Sequence, residues 1–388
     1  MKNHNTEILV IGGGSTGTGV ARDLAMRGFK TTLVERFGIS EGTTRRYHGL
    51  LHSGGRYVVK DPEAAKECVQ ENRILRRIMP HAIDDTGGFF VVTPDDDPAF
   101  VETFLSGSHE CGLAVERVDT TQMLREEPSL NPEITHCFWV PDAVSYAYIS
   151  TSITARSAAD HGATILTHHR VKDLLHDNGK ISGVICQNAR GEEVTIRADF
   201  VINATGPLAG KIAALADIPI HIVPGKGTMV SIDSLSLRTV LNRCRIPSDG
   251  DIIVPKRGEA IVGTTDIEIE DPDQFGVSGA EIDQLLQAGE AMMPGYSRAP
   301  NIRAWAGVRP LFNFDLGSTD DTREVSRSHA LLDHEERDGV NGFVTITGGK
   351  WTTHRLMAEE TVDLICKKLG TDRPCRTHLE TVTEELYD

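Results

Sequence analysis

Paired cysteines are missing from this chain. Its seven, Cys68, Cys111, Cys137, Cys186, Cys244, Cys366 and Cys375, include no C-x-x-C. That absence argues against a zinc knuckle or an iron–sulfur centre, and an odd number at irregular spacing reads as free thiols, mostly small buried hydrophobes. The fifteen histidines are equally dispersed, and no H-x-x-x-H falls on a plausible helix, so no metal is expected. Asp95-Asp96-Asp97, between Pro94 and Pro98, reads as a solvated turn and not as a cation site. Long apolar runs are also lacking: none approaches the roughly twenty residues that span a bilayer. The polar opening Met-Lys-Asn-His-Asn-Thr has no apolar signal core. The expected location is therefore cytoplasmic, compatible with peripheral attachment to the cytoplasmic membrane face. Positive charge is scarce, and the formal net charge of −16 argues against nucleic acid and against a broad basic face. An anionic substrate would need cations gathered locally in a pocket. There is no internal repeat and no low-complexity linker.

What is present begins at Glu7. Ile8 to Ile11 is a short apolar, β-branched run of the kind buried on both faces of a parallel sheet. Gly12, Gly14 and Gly17 follow on the G-x-G-x-x-G spacing. Val20, Ala21, Leu24 and Ala25 then recur at helical spacing up to Gly28, and a second strand ends at Glu35. Glycines that let a backbone approach a pyrophosphate, a helix N-terminus for the anion, and an acid placed for a ribose hydroxyl together make a dinucleotide-binding unit.

At 388 residues the chain is long enough for two or more domains. The stretch Gly42 to Tyr57 is dense in Gly, His and Arg and has too little apolar periodicity for a core element. Asp61-Pro62-Glu63 opens a helix, with Asp61 as N-cap and Pro62 at the first helical position. Residues 88–93 read as a strand, 98–112 as a helix, 149–161 as a helix, and 181–187 with 194–197 as a hairpin. Asp199-Phe-Val-Ile-Asn-Ala-Thr-Gly206 reads as a buried strand whose end would lie beside the cofactor. From Ile218 to about Asp320 the pattern is β-rich, interrupted by one helix from Ser278 to Met292, which predicts an antiparallel sheet over the cofactor. Phe343 to Arg355 is strand, double-glycine turn and helix start. The fold class expected is α/β: a Rossmann-like domain of residues 1–80, 150–217 and 325–372, interleaved with a β-sheet substrate domain of 81–149 and 218–324, and a tail of 373–388.

Five segments carry a family resemblance: Gly12 to Glu35, His48 to Tyr57, Gly263-Thr-Thr-Asp266, Gly307-Val-Arg-Pro-Leu311 and Thr347-Gly-Gly-Lys-Trp-Thr-Thr-His-Arg355. In this order and spacing they resemble the flavin-dependent glycerol-3-phosphate dehydrogenases, and most the catalytic A subunit of the anaerobic, multi-subunit enzyme. The resemblance implies FAD and a D-amino-acid-oxidase-like fold. It places the ADP part on Gly12, Gly14, Ser15, Thr16, Gly17, Glu35 and Arg36, and Val171 near the adenine. Thr43, Thr44 and the loop His48, Gly49, Leu50 and Leu51 would run along the cofactor, with Ala204, Thr205 and Gly206 near its ribose and phosphates. Gly349, Lys350, Trp351 and Thr352 would lie near the flavin ring. His52 and Arg309 fall on catalytic positions, and Arg56, Tyr57, Thr264, Arg309 and Lys350 on substrate positions. The single-subunit membrane enzymes of the family have a histidine in Pro-Gly-x-His, where this chain has Pro224-Gly-Lys-Gly227.

The activity so implied is oxidation of sn-glycerol 3-phosphate to dihydroxyacetone phosphate, of the quinone-linked type, with His52 as candidate base because histidine suits proton removal near neutral pH. Arg56 and Arg309 would hold the phosphate through planar, forked contacts. Two other readings compete. Flavin amine and amino-acid oxidases share the fold, but their carboxylate substrates need one cationic anchor, and the surplus of Arg and Lys favours phosphate. A non-catalytic FAD electron-transfer subunit is the third reading. The resembling subunits continue into a cysteine-bearing region, whereas this sequence runs to Asp388 with only Cys375 in its tail. Electrons are therefore expected to pass to a partner protein or to quinone.

Overall fold

The computed structural model describes residues 2–234, 236–312 and 328–383. Among them, six strands make one sheet in the order Thr164–Leu166, Thr31–Val34, Ile8–Ile11, Phe200–Asn203, Phe343–Gly348 and His329–Asp333. The first five are parallel and the last is antiparallel. Ile8–Ile11 is buried along its whole length, because a strand in this position is covered on both faces. On one face Ile8 and Val10 meet Val20, Leu24, Met357 and Val362, side chains of the helices Ser15–Met26 and His354–Leu369. On the other, Leu9 and Ile11 meet Val184, Ile196 and Phe343. Each such side chain, taken out of water, contributes roughly 1.5–3 kcal/mol.

The expected hairpin forms as Lys180–Asn188 and Glu193–Arg197, and it belongs to a four-stranded sheet with His169–Asp177 and Lys2–Asn5. Lys2–Asn5 is an edge strand parallel to Glu193–Arg197. Edge strands tolerate polar sequence, so neither apolar content nor alternation announces them.

The β-rich part becomes a nine-stranded sheet built on the long pair Ile222–Asp233 and Arg303–Phe312. It is mainly antiparallel, with one parallel pairing, Val240–Arg243 on Gly88–Val92. The helix Gly279–Met292 covers it, capped by Ser278 and Glu281 in a reciprocal capping box. The helices expected at 98–112 and 149–161 run from Phe100–Glu110 and Ala147–Asp160. Asp61 caps Pro62–Ile78, its Oδ1 accepting the Ala64 N–H at 3.2 Å. The expected boundary between residues 324 and 325, and the tail beyond 383, lie outside the described residues. Among those described, no helix is long and apolar enough to cross a membrane.

Two local readings need correction. Asp96 is not a solvated turn residue: its side chain is buried and pairs with Arg243, while its Oδ2 accepts from the Thr93 backbone and hydroxyl. Nor is the Gly42–Tyr57 stretch free of core, since Leu50–Leu51 is a buried strand paired with Ala143–Ser145. Two residues are too short a run to show periodicity.

The buried pair Glu71–Arg355, 2% and 6% exposed, joins the helices Pro62–Ile78 and His354–Leu369. Glu71→Ala leaves the Arg355 charge with Glu359 as its remaining carboxylate and should destabilise the fold by about 1–3 kcal/mol, the cost of a buried group losing its partner. The check is the thermal midpoint, which an unimportant pair would leave where it is.

Candidate active site

The glycine turn after Ile8–Ile11 is built by crowding. A Cβ on Gly12, whose φ is +113°, would lie 2.5 Å from the Ala204 carbonyl oxygen, and one on Gly17 would lie 1.9 Å from the Gly12 oxygen. Only glycine permits both approaches. The helix Ser15–Met26 that follows has no side-chain N-cap and no acid in its first turn, so its N-terminus keeps its affinity for an anion. One of its N–H groups, that of Ser15, donates to Thr44 Oγ1 at 3.1 Å. Glu35 is held at the end of the neighbouring strand by the Gly13 N–H at 2.7 Å and the Phe37 N–H at 2.8 Å.

From this turn a cavity of about 1410 Å³ extends between the two large sheets. Drug-sized sites run roughly 300–1,000 Å³, so this one has room for an extended dinucleotide and a small substrate. Its walls hold Gly12, Gly14, Ser15, Thr16, Glu35, Arg36, Thr43, Thr44 and Val171. They also hold Ala204, Thr205, Gly206, Gly349, Lys350 and Trp351. His48, Leu50, His52, Arg56, Tyr57, Thr264 and Arg309 line it too.

Four residues expected at the cofactor stand behind the wall. Gly17 is pressed on Gly12, and Leu51 is in the core between Leu75 and Ala143. Gly49 accepts from Ser145 N–H and Oγ through its carbonyl. Thr352 is fully buried and accepts the His52 N–H at 3.1 Å. They shape the site without lining it. Arg36 lines the cavity but gives its fork to Asp273, at 2.7 and 3.0 Å, across to the opposite sheet's loop.

Among the cations that line this cavity are Arg309, Arg56 and Lys350. Arg309 donates from NH1 to Thr264 Oγ1 at 2.9 Å and from NH2 to the Thr265 carbonyl at 3.0 Å, and it pairs with Asp266. A Cβ on Gly227 would come within 2.7 Å of Arg309 NH1, so the guanidinium lies where a larger side chain would project. Arg56 reaches Asp251 at 3.2 Å and the Ser248 carbonyl at 2.9 Å. Lys350 Nζ sits 4.9 Å from the Tyr57 ring centroid, and the His52 ring 5.2 Å from the same ring. His48 differs from His52. Burial, with Lys256, Arg56 and Arg309 nearby, pushes His48 down to about 3, and its Nδ1 accepts the Leu50 N–H at 3.1 Å.

A glycine cradle, an uncapped helix, a backbone-held acid and a cavity of this size fit FAD, and the comparisons with known proteins agree. The model for the family "FAD dependent oxidoreductase" (DAO) matches residues 7–364. The chain belongs to this family. The A1 subunit of the anaerobic glycerol-3-phosphate dehydrogenase of Haloferax volcanii is 44% identical over 380 residues, covering 95% of this chain and 65% of that protein. The A subunit of the Escherichia coli K12 enzyme is 43% identical over 380 residues, covering 97% of this chain and 69% of its own length. The chain thus spans about two thirds of the length of these curated relatives. The FAD complex of the Bacillus halodurans glycerol-3-phosphate dehydrogenase superposes with a TM-score of 0.73 at 25% identity, covering 96% of this chain and 67% of that one.

The cavity and its surroundings also contain residues that the sequence does not single out. Asp251 and Asp266 back the two arginines, and Asp266 stands in plain view inside Gly263-Thr-Thr-Asp266. Tyr47, stacked 6.2 Å from Trp351, lines the cavity. Among the described residues one group, Glu359, Cys375 and His378, brings three possible metal-ligand atoms within 4.8 Å. Arg355 already pairs with Glu359 and donates to Thr377 Oγ1 at 3.2 Å, so this carboxylate has a cationic partner within the chain.

Gly17→Ala should yield a folded protein with far less than one FAD per chain, read from the visible absorbance against the circular dichroism; full occupancy would contradict the crowding argument. Lys256 is a second case. Burial, with Arg257 beside it, lowers its amine from 10.5 to about 8, and Nζ donates to the Ser145 carbonyl at 3.2 Å. The unfolded chain then binds the proton more tightly, so this group adds stability as pH rises from about 8 to 10.5 and withholds it below. Lys256→Met should flatten that rise, worth ~3 kcal/mol, in denaturant midpoints taken across the interval; identical slopes for both proteins would refute it.

Proposed function

We propose that this chain oxidises sn-glycerol 3-phosphate to dihydroxyacetone phosphate. The observation that carries the reading is that Arg309, Arg56, Lys350 and His52 all line the same cavity that the glycine turn opens, with both arginines near His48, His48 6.4 Å from His52, and Lys350 and His52 both against Tyr57. A phosphate dianion offers three oxygens, and two forked guanidinium groups with one ammonium can meet them. The similarity to the A subunits of the anaerobic dehydrogenases supports the same substrate.

On this reading the phosphate rests on Arg309 and Arg56, which places the secondary alcohol toward His52. His52 accepts the hydroxyl proton, its backbone held by Thr352 and its ring beside Tyr57. His48, buried and held neutral by its surroundings, serves the backbone of Leu50 instead. Gly12 to Thr16 and Gly349 to Trp351 would hold FAD, which would supply the two-electron acceptor. Thr43 Oγ1, donating to the Val308 carbonyl at 2.6 Å, keeps the two walls in register around the reacting end. We further propose that the electrons leave to a partner protein or to quinone, at the cytoplasmic face of a membrane. The names of the relatives, which are subunits, support a partner.

Arg309→Ala should retain FAD while kcat/KM for glycerol 3-phosphate falls roughly ten- to a hundredfold, since each charge-assisted hydrogen bond lost is worth about 1.5–3 kcal/mol. Arg309→Lys should recover part of it, a point charge replacing a fork. Anaerobic bleaching of the flavin by a panel of polyol phosphates and amino acids is the measurement. Bleaching by an amino acid and not by glycerol 3-phosphate would reverse the assignment.

A further inference from the structure

We infer that Glu281, a buried residue of the substrate-side layer, is the positioning residue for Arg309: it fixes the two backbone carbonyls on which one edge of that guanidinium rests. The inference deepens the proposed function and rests on Arg309 as the ligand of the substrate anion.

Glu281 is the third residue of the helix Gly279–Met292 and completes its capping box with Ser278. A capping glutamate is ordinarily solvated, but this one is 4% exposed, and most of its bonds have nothing to do with the helix. Its Oε2 accepts from Lys226 Nζ at 2.8 Å, and its Oε1 from Thr228 Oγ1 at 2.6 Å and Thr265 Oγ1 at 3.1 Å. Thr265 Oγ1 in turn accepts the Thr228 N–H at 2.9 Å. Two of these partners reach Arg309 with their other ends. The carbonyls of Thr265 and Lys226 both accept from Arg309 NH2, at 3.0 and 3.3 Å.

The convergence is specific. Lys226 lies on the strand Ile222–Asp233 and Thr265 on the segment after Glu259–Gly263. Each sends its side chain to Glu281 and its carbonyl to the same guanidinium nitrogen. Removing the carboxylate leaves the Lys226 ammonium buried without its counter-charge and frees the Thr265 peptide to turn. Burial alone would raise the Glu281 carboxyl, yet the bonds from Lys226, Thr228 and Ser278 bring it down to about 2, so the anchor stays ionised throughout the working pH range. Because Glu281 lies beneath Arg309 and outside the cavity wall, its loss should alter how well the substrate is held and not the chemistry itself.

The test is steady-state turnover of FAD-loaded Glu281→Gln, Thr265→Val and Arg309→Ala, and of the Glu281→Gln/Arg309→Ala double variant, with glycerol 3-phosphate and an artificial acceptor. Glu281→Gln should raise KM about tenfold, leave kcat within about threefold, and leave the flavin spectrum unchanged. Thr265→Val, which removes the two hydrogen bonds of Thr265 Oγ1 and leaves the Lys226–Glu281 pair in place, should raise KM less. In the Arg309→Ala background Glu281→Gln should add nothing, because the group it positions is gone. A tenfold further loss in the double variant would show a general structural role and overturn the inference. Unchanged KM in Thr265→Val and Glu281→Gln beside a raised KM in Arg309→Ala would also overturn it. Should Glu281→Gln fail to fold, Thr265→Val decides alone. A normal KM in Arg309→Ala would instead remove the phosphate assignment, a distinguishable failure.

Discussion

Three backbones meet at the start of this structure closer than any side chain would allow. With 2.5 Å from the Gly12 Cβ position to the Ala204 oxygen and 1.9 Å from the Gly17 Cβ position to the Gly12 oxygen, the strands Ile8–Ile11 and Phe200–Asn203 and the helix Ser15–Met26 are locked into one arrangement. The consequence is chemical as well as steric. Apart from the Ser15 N–H, which Thr44 Oγ1 accepts, the helix start carries no side-chain cap, so the anion it attracts is chosen by the backbone. The cavity begins there because nothing else fits there.

From that fixed corner the rest of the site has to be assembled by long crossings. Thr43 bonds to Val308, Trp305 Nε1 donates to the Arg46 carbonyl at 2.9 Å, and Arg36 and Lys211 reach Asp273 and Asp271. The last two pairs lie at the surface, where water screens them and each is individually weak. Their value is in number and placement. They tie the loop 271–275, which carries cavity residues Pro272, Asp273 and Phe275, to the dinucleotide-binding side. The site is therefore a seam between two layers, each with its own core, and the contacts across it determine where the substrate end lies relative to the cofactor end.

Legibility in the sequence follows the range of the interactions. The strand–glycine–helix–acid unit is contiguous, and its physical signals, burial run, spacing and helical stripe, all lie within about thirty residues of one another. The helix at Pro62–Ile78 is legible for the same reason, with Asp61 and Pro62 announcing its start. Asp96 misleads because three consecutive aspartates between prolines look solvated until Arg243, far along the chain, arrives to bury one of them. Asp251 and Glu281 are invisible as supports of the site because a carboxylate's role is defined by the side chain opposite. Leu51 and Thr352 belong to the right segments but to the wrong side of the wall: a loop motif tells which stretch approaches a ligand, while the alternation of faces within it depends on packing from behind.

On the proposed reading, the arginines hold an anion within a chain that is itself strongly acidic. Both Arg56 and Arg309 are already paired, with Asp251 and Asp266, and these two carboxylates are almost wholly buried at 0% and 4% exposed. The pocket therefore carries less excess charge than its basic residues suggest, and long-range attraction is correspondingly weak. What remains is direction. A guanidinium presents five N–H donors in a plane, and a carboxylate or carbonyl behind it occupies one edge and stiffens the rest. Affinity for a substrate anion then depends on donors that are held in place, because binding does not have to immobilise them. A single-point carboxylate would use only part of such an array, whereas a phosphate can meet donors from two arginines at once. On the proposed reading, the buried acids thus favour the larger anion by geometry, and they do so from behind the arginines.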